Sequence, residues 1–291
     1  MRVLPPLLLA SSVLHCGAPA EPGVSPADSR PPLECLHQAD CARVMVCAHR
    51  GLKTRAAENT LAAVADALAL GVDAVEVDVR TTADGVLVIL HDPDVDRTTY
   101  GSGALSAMTA AEARALVVRQ PPGAERPDGS FIPTLSEVLA LVDGRAWVDI
   151  DLKEASVAAL VAALAAAGAT DQVVIFEQDE AVLAALHQAE PRLWLMPAAA
   201  DAAAVGALAG RLPFAIVYLD SNLLATIPAG FVDAATAAGA KVFLDVMGVA
   251  DVAGMTGDSS LWLERAASGL KVMQTDAPEE LIAALRANGF R

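Results

Sequence analysis

The segment Ala74–Arg80 reads AVEVDVR, and its surroundings decide which fold the chain adopts. Three valines alternate with Glu76 and Asp78, so in a β-strand both carboxylates project from one face. In an antiparallel sheet with one solvated face, the valines would pack in the core and the carboxylates would meet water. In a closed parallel barrel, the carboxylates would instead face the interior near the C-terminal end of the strand, where barrel enzymes carry out their chemistry.

Strand-like and helix-like segments alternate along the chain from residue 44 onward. Most gaps between the strand-like runs hold Ala/Leu-rich segments of helical character, such as VAALVAALAAAG. The β-branched runs occur at 44–48, 74–79, 86–90, 146–152, 173–176, 193–196, 214–219, 241–246 and 271–274. This alternation predicts an α/β fold with a parallel sheet covered on both faces and, with about eight units, a (β/α)8 TIM barrel. Because nine runs are one too many, we expect 86–90 to pair with 74–79.

An open, doubly wound sheet is the alternative fold. Such sheets often carry a Gly-rich dinucleotide-binding loop after the first strand, and the sequence lacks one there. We therefore favour the barrel, in which the face that carries Glu76 and Asp78 points inward. Two neighbouring carboxylates in that position repel each other and lose hydration, and a hard divalent cation with oxygen ligands would offset that cost.

The chain is strongly acidic. It has 291 residues, 54% of them hydrophobic, and a formal net charge of −16. This charge argues against a surface for nucleic acids or anionic membranes, since both need basic patches. A site for a small anionic substrate would need a cation to reverse the local potential.

The N-terminal residues predict export. MRVLPPLLLASSVLHC combines a positive charge at Arg2 with a short apolar run and small residues, which is typical of a secretory signal, here assigned to residues 1–18. The segment ending at Cys16 partly matches a bacterial lipoprotein box, in which that cysteine would carry a lipid anchor. Cleavage after Ala18 or Ala20 is the alternative. Either way we expect a periplasmic or cell-surface protein, with membrane contact only through such an anchor.

The predicted domain layout follows from composition. Residues 19–42 form a linker and a short Cys-containing segment, and residues 43–291 form the barrel domain, with an insertion at about 92–132. Cys35 and Cys41 flank the polar segment LHQAD, and we expect them to form a disulfide in an oxidising compartment. Cys47 lies in the apolar run VMVCA, which predicts a buried thiol.

A second strand repeats the acidic pattern. WVDIDLK, residues 147–153, places Asp149, Asp151 and Lys153 on one face and apolar side chains on the other. One interpretation is a structural salt bridge between Asp151 and Lys153. We favour the other, in which Asp151 is a third ligand of the cation and Lys153 contacts an anionic group.

Two histidines are predicted at strand C-termini, on the same side of the sheet as these carboxylates. His49 ends the first strand, and His91 ends the run VLVILHD. Imidazoles accept and donate protons near neutral pH, so a pair beside a cation site fits acid–base catalysis.

Several motifs together resemble the glycerophosphodiester phosphodiesterase family, which is related to the spider-venom-type phospholipase D barrels. They are AHRG, ENTLAAVADALALGVDAVEVDVRTTADGVLVILHD, DRTTYGSG, IPTLSEVL, DIDLK and QTDAPEEL, in order between about residues 46 and 285. The insertion between HD and IPTL resembles the phosphodiesterase branch rather than the venom branch. The resemblance implies a TIM barrel, a Mg²⁺ or Ca²⁺ ion, and hydrolysis of glycerophosphodiesters to glycerol phosphate and an alcohol.

The resemblance also implies a role for each site residue. The implied metal ligands are Glu76, Asp78 and Asp151, the implied catalytic pair is His49 and His91, and the implied phosphate contacts are Arg50 and Lys153. Asp151 departs from the family pattern, which has the longer Glu in an E-x-K motif. The late Trp-Thr strand motif of the family is replaced here by VFLDVMG, which alters the substrate-side wall.

Three alternative functions remain at this stage. The same site would serve a phospholipase D-like reaction on lysophospholipids. Two histidines and one carboxylate also match the ligand set of non-haem iron oxygenases, although the three acidic residues and Lys153 fit an oxygen-ligated hard cation better. Finally, an exported barrel would serve as a non-catalytic binding lipoprotein, for which intact catalytic motifs are not expected.

Overall fold

The computed structural model describes residues 28–122, 131–220 and 226–291. The strands are β1 (Met45–Ala48), β2 (Ala74–Thr81), β3 (Leu87–Ile89), β4 (Trp147–Glu154), β5 (Val173–Phe176), β6 (Trp194–Met196), β7 (Ala198–Ala199), β8 (Ile216–Leu219), β9 (Lys241–Asp245) and β10 (Val272–Thr275). Each predicted β-branched run contains a strand, and among the strands of the described residues the two-residue β7 alone was not predicted. The predicted signal segment and Cys16 lie outside the described residues.

Helices occupy most of the gaps between the strands. They are α1 (Pro32–His37), α2 (Leu61–Leu70), α3 (Ala110–Arg114), α4 (Leu135–Val142), α5 (Val157–Ala167), α6 (Glu180–Ala189), α7 (Ala202–Ala209), α8 (Phe231–Ala237), α9 (Val249–Met255), α10 (Ser260–Ala267) and α11 (Pro278–Ala287). Several begin at a polar N-cap whose side chain accepts a backbone N–H, as at Thr60, Ser156 and Asp201. Thr134 and Glu137 form a capping box at the start of α4.

The parallel strands form one nearly closed barrel. Their order is β6-β5-β4-β2-β1-β10-β9-β8-β7, and the two end strands are separated in the chain by Pro197 alone. β6 pairs with β5 and β7 pairs with β8, so the segment 194–199 acts as one strand that joins both edges of the sheet. Pro197 has no N–H for a sheet hydrogen bond, but its carbonyl accepts one from Tyr218. The predicted (β/α)8 architecture is confirmed.

β3 lies outside this parallel path. It pairs with β2 in the antiparallel sense, which confirms the pairing expected for 86–90. The turn between the two strands contains Asp84 and Gly85, and Gly85 has a φ of 80°. Its backbone hydrogen bonds join Thr82 to Val86 and Gly85 to Thr82. The hairpin therefore carries the chain from β2 to His91 on the same side of the barrel.

The two faces of the strands pack in different layers. The three valines of AVEVDVR lie in the cluster between the sheet and the outer helices. The opposite face points into the barrel, where the apolar side chains near the N-terminal ends of the strands include Met45, Cys47, Trp147 and Phe243. Cys47 is a buried free thiol, as predicted.

The segment before β1 covers this apolar end of the barrel. The predicted disulfide between Cys35 and Cys41 is present, and both cysteines and Leu36 are buried in the inner cluster. The Lys241 ammonium donates hydrogen bonds to the carbonyls of Leu36, at 3.0 Å, and Gln38, at 2.9 Å. Residues of the predicted linker region thus pack directly on the barrel; the domain boundary at residue 42 stays a prediction. In the part of the chain that the structure describes, every helix is too short or too polar to cross a bilayer.

Candidate active site

Two adjacent strands carry the acidic side chains side by side. In the parallel pairing of β2 with β4, Glu76 lies opposite Asp149, and Asp78 lies opposite Asp151. Because the side chains alternate, all four point into the barrel, above the apolar layer. One carboxylate oxygen from each of Glu76, Asp78 and Asp151 lies within 4.8 Å of the others. The structure therefore brings together the three predicted metal ligands.

The electrostatics of this cluster favour a cation. Burial, reinforced by the charges of Asp78, Asp151 and Asp149, raises the pKa of Glu76 well above its usual value. Burial also raises the pKa of Asp149, and it raises the pKa of Asp151 against the opposing effect of Lys153. Asp78 Oδ1 and Asp149 Oδ1 are buried and accept no hydrogen bond. Clustered carboxylate oxygens with unused acceptor capacity fit a hard divalent cation.

Two cationic side chains already contact the cluster. Lys153 Nζ lies 2.6 Å from Asp151 Oδ2 and 3.4 Å from Asp78 Oδ1, so the salt bridge of the alternative interpretation does form. Arg50 Nε lies 3.2 Å from Asp78 Oδ2. Lys153 and Arg50 carry two positive charges against the four carboxyl groups. The salt bridge is therefore compatible with a dication, because the cluster has more carboxyl groups than cationic partners.

The turn after β1 donates a backbone hydrogen bond to the acidic cluster. Arg50 has a φ of 58°, and its backbone N–H donates to Glu76 Oε2 at 2.7 Å. Gly51 follows with a φ of 80°, and a Cβ there would lie 2.7 Å from the Ala63 backbone. The motif HRG therefore needs glycine at its last position. Asn59, at the start of the next turn, donates from Nδ2 to Asp78 Oδ2 at 2.7 Å.

His49 is held at the edge of the same cavity. It is largely buried, and its Nδ1 lies 2.7 Å from Asp276 Oδ1. Burial lowers the pKa of His49, opposed by the hydrogen bond to Asp276 and assisted by the charges of Lys53 and Arg50. The cavity has a volume of about 130 Å³, and its lining includes His49, the acidic residues and an aromatic wall: Glu76, Asp149, Asp151, Asp245, Phe176, Tyr218 and Phe243.

His91 is held by a second carboxylate. Its Nδ1 lies 2.6 Å from Asp92 Oδ1, and Asp92 in turn accepts from Arg97 Nε at 2.6 Å. Arg97 also donates to Glu58, which accepts from Arg50 Nη1 at 2.9 Å. A chain of ion pairs thus links His91 to Arg50 beside the acidic cluster.

A wider groove of about 420 Å³ opens beside the cavity. One wall comes from the predicted insertion and includes Arg97, Val118 and Arg119, and Met255 of α9 lies on another side. Asp276, which contacts His49, also lines this groove, so the groove and the cavity meet at that pair. Among the described residues, the exposed large hydrophobic side chains come from two segments, the insertion and α9: Tyr100, Val117, Phe131, Val249, Val252 and Met255.

Sequence reasoning missed several residues that support this site. From sequence alone, Glu58-Asn59-Thr60 before an Ala/Leu-rich run favours a helix cap in a loop that also borders the site. In the structure Thr60 caps α2, whereas Glu58 binds Arg50 and Asn59 binds Asp78. Asp276 lies in the quoted motif QTDAPEEL without an assigned role. Its position directly after β10, at the C-terminal edge of the sheet, was the available signal.

Comparisons with known proteins agree with this geometry. A family model described as the Glycerophosphoryl diester phosphodiesterase family matches residues 49–247. A glycerophosphodiester phosphodiesterase from Caldanaerobacter subterraneus is 42% identical over 112 residues, which are 38% of this chain and 46% of that protein. Glycerophosphodiester phosphodiesterase 1 from Mus musculus is 43% identical over 118 residues, 39% of this chain and 34% of that protein. The matched regions thus span less than half of these curated relatives.

A solved structure extends the likeness to most of the chain. The crystal structure of a glycerophosphodiester phosphodiesterase from Agrobacterium tumefaciens superposes with a TM-score of 0.67 at 27% identity. The superposition covers 82% of this chain and 99% of that one. The similarity therefore includes the whole barrel of that protein.

Proposed function

This chain belongs to the glycerophosphoryl diester phosphodiesterase family, and from that premise we propose that it hydrolyses glycerophosphodiesters to glycerol phosphate and an alcohol, as a phosphoric diester hydrolase. The observation that carries the proposal is the convergence of Glu76, Asp78 and Asp151 within 4.8 Å of one another, beside a cavity that His49, Glu76 and Asp151 line. His91 is linked to Arg50 beside the same cluster through Asp92, Arg97 and Glu58.

Phosphodiester hydrolysis needs two proton transfers. One imidazole removes a proton from the attacking oxygen, and the other protonates the leaving alkoxide. Each histidine has its Nδ1 against a carboxylate, Asp276 for His49 and Asp92 for His91. Each Nε2 is therefore the atom left for proton transfer. This arrangement supports a two-histidine mechanism, with His49 and His91 as the proposed catalytic residues.

Glu76, Asp78 and Asp151 are the residues that would hold one divalent cation, Mg²⁺ or Ca²⁺. When bound, such an ion supplies Lewis-acid stabilisation of negative charge on the phosphate and a template for substrate oxygens. Lys153 and Arg50 would add positive charge at the phosphate. The guanidinium of Arg50 is only partly free for that role, because Glu58 and Asp78 already engage it.

Cation-dependent turnover tests the proposal. We expect the purified protein to hydrolyse glycerophosphocholine, to lose activity in EDTA, and to recover it with Mg²⁺ or Ca²⁺ but not Fe²⁺. The double variant His49→Ala/His91→Ala should be inactive while remaining folded. Wild-type turnover in that variant would refute the catalytic assignment, and O₂ consumption with Fe²⁺ in place of hydrolysis would favour the oxygenase alternative. Absence of turnover on any glycerophosphodiester would favour the binding-protein alternative.

A second substrate class has its own supporting observation. Met255 of α9 lines the groove beside the site, and Val249 and Val252 are exposed on the same helix, where the acyl chain of a lysophospholipid would find contact. Phospholipase D-like action on lysophospholipids is therefore the second candidate. Side-by-side assays of glycerophosphocholine and lysophosphatidylcholine would separate the two. A Val252→Asp variant should reduce only the second activity if the acyl chain contacts α9.

Export is part of the proposal. The Cys35–Cys41 disulfide supports an oxidising compartment, periplasmic or at the cell surface. A lipid at Cys16 would tether the chain by its N-terminus. Mass spectrometry of the mature N-terminus, from cells that export the protein, would distinguish a lipidated Cys16 from cleavage after Ala18 or Ala20.

A further inference from the structure

One oxygen of Asp276 accepts from two donors. His49 Nδ1 and Lys53 Nζ each lie 2.7 Å from Asp276 Oδ1, while the same Nδ1 and Nζ lie 3.2 Å apart. A lone pair on Nδ1 would accept a hydrogen bond from Lys53, but it would then face the carboxylate oxygen at 2.7 Å and be repelled. Both nitrogens therefore donate to Asp276. This assigns the proton of the neutral ring to Nδ1 and leaves Nε2 as the acceptor.

Asp276 is suited to hold that tautomer. Although burial opposes it, hydrogen bonds from His49 and Lys53 keep the pKa of Asp276 below its usual value. The carboxylate is therefore the charged form that accepts most strongly from Nδ1–H. It also stabilises the imidazolium that forms when Nε2 takes up a proton.

A buried carboxylate behind Asp276 fixes its backbone. Asp251 of α9 is only 1% exposed. Its Oδ2 accepts the N–H of Asp276 at 2.6 Å, and its Oδ1 accepts from Thr275 Oγ1 at 2.7 Å and from Trp262 Nε1 at 3.1 Å. Both oxygens are thus used, and they join α9 and α10 to the end of β10. This carboxylate holds the turn from which Asp276 reaches His49.

We propose that Asp276 is a positioning residue that holds His49 in its Nδ1–H tautomer with Nε2 directed to the cavity, and that Asp251 positions Asp276. The role in turnover rests on the proposed phosphodiesterase function, whereas the tautomer does not. The two histidines differ in how far along the chain their carboxylate partners lie. Asp92 is the next residue in the chain after His91, but Asp276 reaches His49 from 227 residues away and needs an anchor.

The Asp276→Asn variant tests the first part. An amide directs either its oxygen or its NH2 to Nδ1 and carries no charge, so we expect kcat to fall by about 10²- to 10⁴-fold with KM changed less than about threefold. Nitrogen-15 spectra of labelled histidine, with His49 assigned through His49→Ala, should show loss of the single Nδ1–H tautomer. Asp276→Glu keeps the charge, and we expect it to retain the tautomer and lose less activity.

The Asp251→Asn variant tests the second part. Its NH2 must oppose either the Asp276 N–H or the two side-chain donors, so we expect about a tenfold loss of kcat and a mixed tautomer at His49. The matched control is Asp73→Asn. Asp73 is also buried and accepts the N–H of Val46 and an ion pair from Arg43, but it lies near the N-terminal end of β2. We expect this control to unfold at lower temperature with wild-type kcat and tautomer.

The outcomes separate this inference from the proposed function. An unchanged His49 tautomer and unchanged kcat in Asp276→Asn would overturn the inference, as would equal effects from Asp251→Asn and Asp73→Asn. If the wild type shows no turnover, the proposed function fails, and the nitrogen-15 spectra still decide whether Asp276 sets the tautomer. A Nδ1–H tautomer that is lost in Asp276→Asn and kept in Asp276→Glu would support the positioning role.

Discussion

The two ends of the barrel use the same strands for opposite purposes. On the inward face of β2 and β4, Ala74 and Trp147 pair at the N-terminal end and belong to an apolar cluster sealed by a disulfide-bonded segment. Two and four residues further along, the same face carries only carboxyl groups. The first end gains stability from burial, and the second holds like charges away from water at a cost. The difference shows that the inward-facing positions of one strand form the core at one end and the site at the other. The alternation of side chains is the same at both ends, and the residue type alone changes along the strand.

This comparison predicts opposite effects of mutations at the two ends. Removing a carboxylate from the cluster of Glu76, Asp78 and Asp151 should abolish activity and leave stability equal or higher, as expected where function requires unfavourable charge. Changes at the apolar end should lower stability and leave turnover intact. In barrels of this type, the C-terminal face carries the chemistry and the N-terminal face carries stability.

The largest expected effect is that of Glu76→Gln. We expect activity to fall by at least about 10³-fold, because the proposed cation site loses a ligand. In cation-free buffer the free energy of unfolding should rise, because a buried carboxyl group among other carboxyl groups is replaced by a neutral amide. Turnover assays and thermal unfolding with and without Mg²⁺ or Ca²⁺ measure both effects.

A control on the same sheet sharpens this test. Glu154 lies at the end of β4 with an exposed ion pair to Arg80. Glu154→Gln should change neither the activity nor the cation-dependent gain in stability measurably. If Glu76→Gln kept that gain, or lowered stability in cation-free buffer, the acidic end would not be a strained cation site.

The apolar end is tested by removing the disulfide. Cys35→Ala/Cys41→Ala should lower the free energy of unfolding by about 2 kcal/mol, because the unfolded chain gains conformational entropy without the disulfide. We expect kcat and KM to be unchanged below the melting temperature. Chemical denaturation measures the change. Wild-type protein in reductant should match the variant, and the variant should not respond to reductant. A parallel loss of turnover would show that the two ends are coupled.

The sequence predicted most of this architecture because its signals are local. Alternation and β-branched runs identified nine strands, and strand ends placed Glu76, Asp78, Asp151, His49 and His91 at one edge. The short β7 was missed because AA has no strand signal; its pairing comes from closing the barrel around Pro197. From the sequence, the Asp151–Lys153 salt bridge and the cation site are alternatives, but in the structure Asp151 takes part in both groupings.

The supporting contacts were harder to predict because they are distant in sequence. Nothing local relates Asp276 to His49, or Asp251 to Asp276, since each pair meets only after the barrel has closed. The contacts of Glu58 and Asn59 were hard to predict because the sequence ENT before an Ala/Leu-rich run favours helix capping as the local interpretation. Capping accounts for Thr60 alone. Such contacts need tertiary structure to assign.

A smaller effect should appear in the pH dependence of stability, because ion pairs at the acidic end are lost in acid. Although burial opposes it, hydrogen bonds from Arg97 and Arg50 lower the pKa of Glu58 to about 2, and bonds from Arg97 and His91 lower that of Asp92 to about 2. Carboxylates with lowered folded pKa values stabilise above their unfolded pKa of about 4, and this stability is lost as pH falls toward 2.

Arg97→Gln should therefore reduce the acid sensitivity. We expect the wild type to lose about 1–2 kcal/mol more stability than the variant between pH 6 and pH 2.5, after allowance for solvent screening. The matched control is Arg192→Gln, which removes an exposed pair with Glu190 before β6, at the opposite end of the barrel. Equal pH profiles for Arg97→Gln and the wild type would contradict the prediction.

The smallest predicted effect concerns the ammonium at the apolar end. Lys241→Met removes two hydrogen bonds to the carbonyls of Leu36 and Gln38 but also a buried charge, and burial lowers the pKa of Lys241. These terms oppose each other, so we expect a loss below about 1 kcal/mol. Combining it with Cys35→Ala/Cys41→Ala makes the test sharper. If the disulfide holds the carbonyls in place, the lysine should contribute less once the disulfide is gone, whereas strictly additive losses in chemical denaturation would mean that the segment before β1 does not act as one unit.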